Sequence, residues 1–202
     1  MADVRYGLRP VQADGSANNY CSLTECYIPA SYATALFIGD PVVITGTSNT
    51  AVVKGRQIGT MPEINKATAA GGAASVSGVI CAFLPDIDVA TTVLHNAAST
   101  ERIALVCTDP NQLFSIQCSG TMAATDVGLN GDLVYTHAGD TATGLSGAEF
   151  NTTGKATTAT LQLKIMKFDQ DHTVDAPNTI GANSKVIVKI NTHTNAPASA
   201  GI

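Results

Sequence analysis

At 202 residues the chain can bury a core as one domain or as two small lobes, and 45% hydrophobic residues support a globular fold. Only 13% of residues are charged, about half the ~25% usual for soluble domains; such a surface suits packing into an assembly, although a secreted β-protein would share it. A formal net charge of −5, 5% aromatics and no Trp exclude the basic face and stacking rings that nucleic-acid binding needs.

The opening "MADVRYGLRP" has no apolar core of a signal peptide, so synthesis and retention in the cytoplasm, or release by lysis, is expected. No run reaches the ~18 apolar residues of a membrane span. Residues 1–24 read as an extended arm: Arg5 and Arg9 flank Tyr6 and Leu8, and the turn-rich "ADGSANN" follows. Arg5, Tyr6, Leu8 and Arg9 are residue types that anchor interfaces, so the arm is either a frayed terminus or a segment that lies on a partner. The β-rich part is then 25–202, divisible into lobes at about 25–120 and 121–202.

"CYIPASYATAL" predicts a short strand before Pro29 and then helical turns. In "LFIGDPVVITG", Gly permits a positive φ, Asp can cap the turn with its side chain, and Pro fixes its own φ and is tolerated at the first position of a strand. A strand is therefore expected from Val42 to about Thr45-Gly46. "AVVKG" and "QIGT" read as further short strands, "KATAAGGAASVSG" as a small-residue loop, and "SVSGVICAFLPD" as a strong strand. "ERIALVCTDP" and "QLFSIQCSG", separated by Asp109-Pro110-Asn111, are expected to pair as a hairpin. "AATDVGLNG" predicts a short helix or turn leading into "DLVYT". The longest β signals come last. In "TTATLQLKIMKFD", Leu161, Leu163 and Ile165 alternate with Gln162, Lys164 and then Met166; in "SKVIVKINTHT", Val186, Val188 and Ile190 alternate with Ile187, Lys189 and Asn191. These two are expected to be sheet neighbours with one wet face. The expected fold class is all-β, a small barrel or sandwich-like domain with short helical turns and an N-terminal arm.

One internal echo stands out. "ATALFIGDPVVIT" (33–45) and "ATDVGLNGDLVYT" (124–136) share Ala-Thr, Gly-Asp and a strand closing on Thr. The echo marks equivalent approaches into β-structure in two lobes, or it is coincidence in a Thr/Gly/Val-rich chain.

No local motif supplies chemistry. "GLSGA" (144–148) has Ala148 where a nucleophile elbow needs Gly. "GAEFNTTGKA" (147–156) has the wrong spacing for a phosphate loop and Ala156 in place of the Mg²⁺-binding hydroxyl. Asp169, Asp171, His172 and Asp175 in "FDQDHTVD" are the best local metal candidates, but the Gly and Glu of a Ca²⁺ loop are missing, so a solvated loop is expected. His95, His137, His172 and His193 show no zinc spacing. Asn151-Thr152-Thr153 is a glycosylation sequon without meaning unless the chain is secreted. Neither an enzyme nor a bound metal or cofactor is expected. Five cysteines, Cys21, Cys26, Cys81, Cys107 and Cys118, are odd in number and are expected to be free thiols, with Cys21–Cys26 the first pair to suspect otherwise.

Taken together, "YGLRPV", "PASYATALFIGDPVVITG", "SGVICAFLPD", "ASTERIALVCTDPNQLFSIQ", "TDVGLNGDLV", "TATLQLKIMKF" and "IGANSKVIVKINTHT" resemble structural proteins encoded among the head genes of tailed bacteriophages, in particular capsid decoration (cement) proteins. The resemblance implies β-rich subunits, usually homotrimers, that bind the major capsid protein on the virion exterior after expansion, without catalysis or cofactor. It does not account for Cys21 and Cys26. Another virion part, such as a head-fibre base or tail component, is the alternative; a hydrolase using the 169–175 carboxylates and His172 is a third.

Overall fold

The structure is a computed structural model that describes residues 2–15, 21–69, 75–85, 94–170 and 177–196. In chain order the strands are β1 (Arg9–Ala13), β2 (Leu23–Ile28), β3 (Pro41–Ser48), β4 (Pro62–Lys66), β5 (Gly78–Phe83), β6 (Arg102–Cys107), β7 (Gln112–Gln117), β8 (Asn130–Gly131), β9 (Leu133–Tyr135), β10 (Ala148–Phe150), β11 (Leu163–Phe168) and β12 (Lys185–Ile190). The helical content among the described residues is one 3-10 turn, Ala124–Asp126. The chain is all-β, as its patterning predicts.

Strands β2-β4-β3-β5-β6 close into a barrel. Its interior holds Cys26, Ile28, Leu36, Val42, Ile64, Ile80, Ala104 and Val106. A five-stranded sheet, β1-β7-β12-β11-β8, and the pair β10-β9 make the second half. The two halves share one pairing pattern. In the barrel, β2 runs parallel to β4, and β4–β3, β3–β5, β5–β6 and β6–β2 are antiparallel. In the second half, a parallel bridge joins Cys118, just after β7, to Phe150 of β10; β10–β9, β8–β11, β11–β12 and β12–β7 are antiparallel. The echoed Gly-Asp pairs fall at corresponding points. Gly39 donates to the Ile80 carbonyl and Ile80 to the Asp40 carbonyl, while Gly131 pairs with Leu163. The echo therefore marks equivalent approaches into the second strand of each set.

The Gly39-Asp40-Pro41 turn works as its residue types suggest. Gly39 has φ +89°, and its backbone lies against Gly7, where a Cβ would meet Gly39 Cα at 3.0 Å. Asp40 accepts the Phe37 N–H at 2.9 Å, and the strand then starts at Pro41. β3 runs on to Ser48, beyond the expected end at Thr45-Gly46.

Four expectations are corrected. First, β6 and β7 do not form a hairpin. β6 pairs with β2 and β5, β7 with β1 and β12, and Asp109-Pro110-Asn111 carries the chain between the two halves. The switch of sheets falls at 108–111, ahead of residue 120. β7 is instead buried at every position between β1 and β12. Second, "AVVKG" and "QIGT" are not strands; a tight turn bridges Val53 and Arg56, and the strand there is β4, which opens on Pro62. Third, the arm belongs to the fold. β1 pairs with β7, Leu8 is 1% exposed in the core, and residues 2–6 lie over the outer face of the β7–β12 sheet. That cover leaves Ile187 only 3% exposed where a wet face was expected. Fourth, Cys21 and Cys107 form a disulfide, and Cys26, Cys81 and Cys118 are free. Leu23 pairs with Cys107 across β2–β6, which brings the Cα atoms of Cys21 and Cys107 to 5.9 Å. An odd count excludes a full set of bridges, not one bridge. Burial pushes the free thiols up, Cys26 and Cys118 to about 12 and Cys81 to about 11.

The β11–β12 pair forms as expected, with Leu163, Ile165, Val186, Val188 and Ile190 buried. Leu161 precedes the strand and is half-buried, while Gln162 is fully buried. The main core spans both halves: Leu8, Val79 and Cys107 pack with Phe114, Phe150 and Leu163. Asp40 adds a polar joint, taking a hydrogen bond from Ser146 Oγ at 2.5 Å and an ion pair with Lys66 at 3.0 Å.

Candidate functional site

β9 and β10 are short antiparallel strands that place Glu149 opposite Val134, so Thr136, two residues on, shares its face. Thr136 Oγ1 donates to Glu149 Oε2. Just past β9 comes His137. A Cβ on Gly147 would sit 2.1 Å from the His137 carbonyl oxygen, so only glycine lets the chain leading into β10 pass this close. The third member arrives from the N-terminal segment. Gln117, fully buried at the end of β7, accepts the Val4 N–H at 3.0 Å and donates to the Ala2 carbonyl at 2.7 Å. Asp3, between them, meets His137, with Oδ2 to Nε2 at 2.9 Å.

Asp3, His137 and Glu149 thus each offer one ligand atom, and these atoms all lie within 4.8 Å of one another. Their burial differs sharply: Asp3 is exposed, His137 half-buried, and Glu149 only 1% exposed. Glu149 Oε1 is buried without a hydrogen-bond partner. The hydrogen bond from His137 holds the Asp3 carboxyl below its usual range. Burial first, then the charge and contact of Asp3, push the Glu149 carboxyl up to about 7. Chemically, the cluster is an imidazole beside two facing carboxyls, one sealed in the protein.

The residues proposed from sequence as interface anchors part company. Arg5 is exposed beside this cluster, with Nε donating to the Ala138 carbonyl at 2.9 Å. The ring of Tyr6 is approached by two cations, the Arg9 guanidinium (4.0 Å) and the Lys185 ammonium (4.7 Å), and its hydroxyl donates to Ser115 Oγ. Leu8 is a core residue. Of the acidic 169–175 stretch, Asp171, His172 and Asp175 lie outside the described residues, while Asp169 accepts from Ser115 Oγ at 2.5 Å. His95 stacks on Phe37, and His193 is buried. Sequence reasoning missed the Asp3–His137–Glu149 group because its members are separated by 134 and 12 residues; no local spacing signals it.

A second feature is the β3–β4 loop. Asn49, fully buried, donates from Nδ2 to the Ala51 and Gln57 carbonyls and accepts the Met61 N–H. Arg56 is fixed by a two-point pair with Glu25 at 2.7 and 2.8 Å. On this braced loop Val52 and Ile58 are 56% and 62% exposed. An open groove of about 290 Å³ lies near Pro110, Lys164 and Lys189; Lys189 is engaged there by Asp14 and Asn111. No family model, no curated protein and no solved structure matches the chain.

Proposed function

We propose that the chain is a structural virion protein, a decoration protein that binds the outer surface of a tailed-bacteriophage capsid and stabilises it. The resemblance across the sequence supports this reading. The structural observation that carries it is the β3–β4 loop, braced from within by Asn49 yet holding Val52 and Ile58 out to solvent. A pre-ordered apolar tip loses little conformational freedom on docking, so more of its burial energy appears as affinity. The charge-poor composition lowers the desolvation cost of broad contact with a shell. As a trimer, the protein would multiply weak contacts through high effective concentration.

The test mixes the purified protein with protein-free expanded capsids, followed by co-sedimentation and electron microscopy of the particles. Regular occupancy of the outer shell is expected. The double variant Val52→Ser/Ile58→Ser, unchanged in melting temperature, is expected to bind at least tenfold more weakly, since each buried side chain of this kind contributes about 1.5–3 kcal/mol. Attachment to tails or fibres instead would move the assignment to another virion part. Absence from every particle component overturns it.

A further inference from the structure

We propose that Asp3, His137 and Glu149 bind one divalent cation of borderline softness, Zn²⁺ above all, which fastens the N-terminal segment to the β9–β10 pair. Three observations lead there. The first is geometry. The three ligand atoms lie within 4.8 Å of one another, with Asp3 Oδ2 and His137 Nε2 at 2.9 Å. Ligands on a tetrahedral Zn²⁺ with bonds of about 2.0–2.1 Å stand roughly 3.3 Å apart. Side-chain rotations on the order of 1 Å therefore bring the set into place, and Asp3 and His137, the more exposed members, can make them.

The second is the state of Glu149. Its side chain is 1% exposed; Oε2 takes a hydrogen bond from the Thr136 hydroxyl, while Oε1 is buried with no donor reaching it, and the group lying against the Glu149 carboxyl is a second carboxyl, that of Asp3. Buried polar atoms are nearly always satisfied, and one that is not calls for an explanation such as an ion. A carboxylate with one oxygen held by a hydroxyl and the other available is how a monodentate ligand is oriented by its surroundings. The third is charge and donor type. Two carboxylates converge on one imidazole, and the neighbouring Arg5 guanidinium is held by the Ala138 carbonyl. One nitrogen and two oxygens suit Zn²⁺ and its neighbours better than Ca²⁺ or Mg²⁺, which prefer more, all-oxygen ligands. Three protein ligands leave a fourth position to water or to a group from a partner.

Full-length protein, treated with chelator and dialysed, is titrated with ZnCl₂ by calorimetry and with CoCl₂ by visible absorption; MgCl₂ and CaCl₂ are run in parallel. One Zn²⁺ per chain, a raised melting temperature and Co²⁺ bands of a low-coordinate site are expected, with far weaker Mg²⁺ and Ca²⁺ binding. Glu149→Gln, His137→Gln and Asp3→Asn should each weaken Zn²⁺ by on the order of 100-fold, at least the loss seen when supporting groups around a metal are removed. Should Glu149→Gln fail to fold, the two exposed-side variants carry the test, since their circular dichroism should match the parent. Two results overturn the proposal: no saturable Zn²⁺ binding, which leaves a proton shared between the carboxyls, or Zn²⁺ binding unchanged in the variants, which moves it to the thiols or another histidine.

Discussion

Replacing Asp40 tests how the two halves are joined. Its side chain is completely buried and holds Lys66 Nζ at 3.0 Å, Ser146 Oγ at 2.5 Å and the Phe37 N–H at 2.9 Å. Asp40→Ala strands the Lys66 ammonium, 19% exposed and lying over the Tyr135 ring, and leaves two donors without an acceptor. Breaking a buried pair by removing one partner costs about 3–5 kcal/mol, and the lost hydrogen bonds are part of that sum rather than added to it. Asp40→Ala is thus expected to cost about 4 kcal/mol, lowering the melting temperature by roughly 8–16 °C for a chain of this size. Asp40→Asn keeps shape and an acceptor oxygen and should cost about half as much. Lys66→Met leaves the carboxylate buried without its counter-charge and should also cost about 3 kcal/mol, but the double variant Asp40→Asn/Lys66→Met should fall short of the sum by about 2 kcal/mol. Urea unfolding of the parent and the four variants, monitored by circular dichroism, measures the Asp40→Ala cost and the cycle. An Asp40→Ala cost under about 1 kcal/mol, or additivity within about 0.5 kcal/mol, would refute the buried joint.

Four further outcomes are expected. Thiol labelling under denaturing, non-reducing conditions should count three, and Cys21→Ser should lose up to about 4.6 kcal/mol, the loop-closure value for a bridge spanning 86 residues; a count of five refutes the bridge. His193 is buried, its Nδ1 accepts the Asn195 N–H, and burial pushes its pKa down to about 4. Below the unfolded value near 6.5 the unfolded chain takes up a proton that the folded chain refuses, so stability should fall as the pH falls from about 6.5 and level off near 4, by roughly 3 kcal/mol, and urea titrations of His193→Gln should lack that slope. Leu8→Ala should cost about 2–5 kcal/mol by thermal melt because Leu8 is core, and an unchanged melting temperature would return residues 2–8 to the status of a free arm. Val188→Asp should cost several kcal/mol, as an unpaired buried ion does, whereas Lys189→Asp should cost about 1 kcal/mol, the ceiling for its exposed pair with Asp14; equal tolerance in urea would mean the β12 register is wrong.

What the sequence determined by itself is local. The period-two alternation at 163–168 and 185–190 defined two strands and their inward residues, because only one register buries Leu163, Ile165, Val186 and Val188 together. The Gly-Asp-Pro stretch defined a turn and the strand after it, since φ preference and side-chain capping act within four residues. Tertiary structure decided the rest. Which strand pairs with which depends on layers, not on chain neighbours, so Asp109-Pro110-Asn111 became a crossing between sheets. The N-terminal segment has no apolar period of its own and finds its place only against Gln117, Ser115 and Gly39. The Cys21–Cys107 bridge follows from the β2–β6 register. The Asp3–His137–Glu149 cluster exists only because that segment crosses the sheet beside β9 and β10: side-chain chemistry acts over a few ångströms of space, and positions 3, 137 and 149 carry no mark of their nearness along the chain.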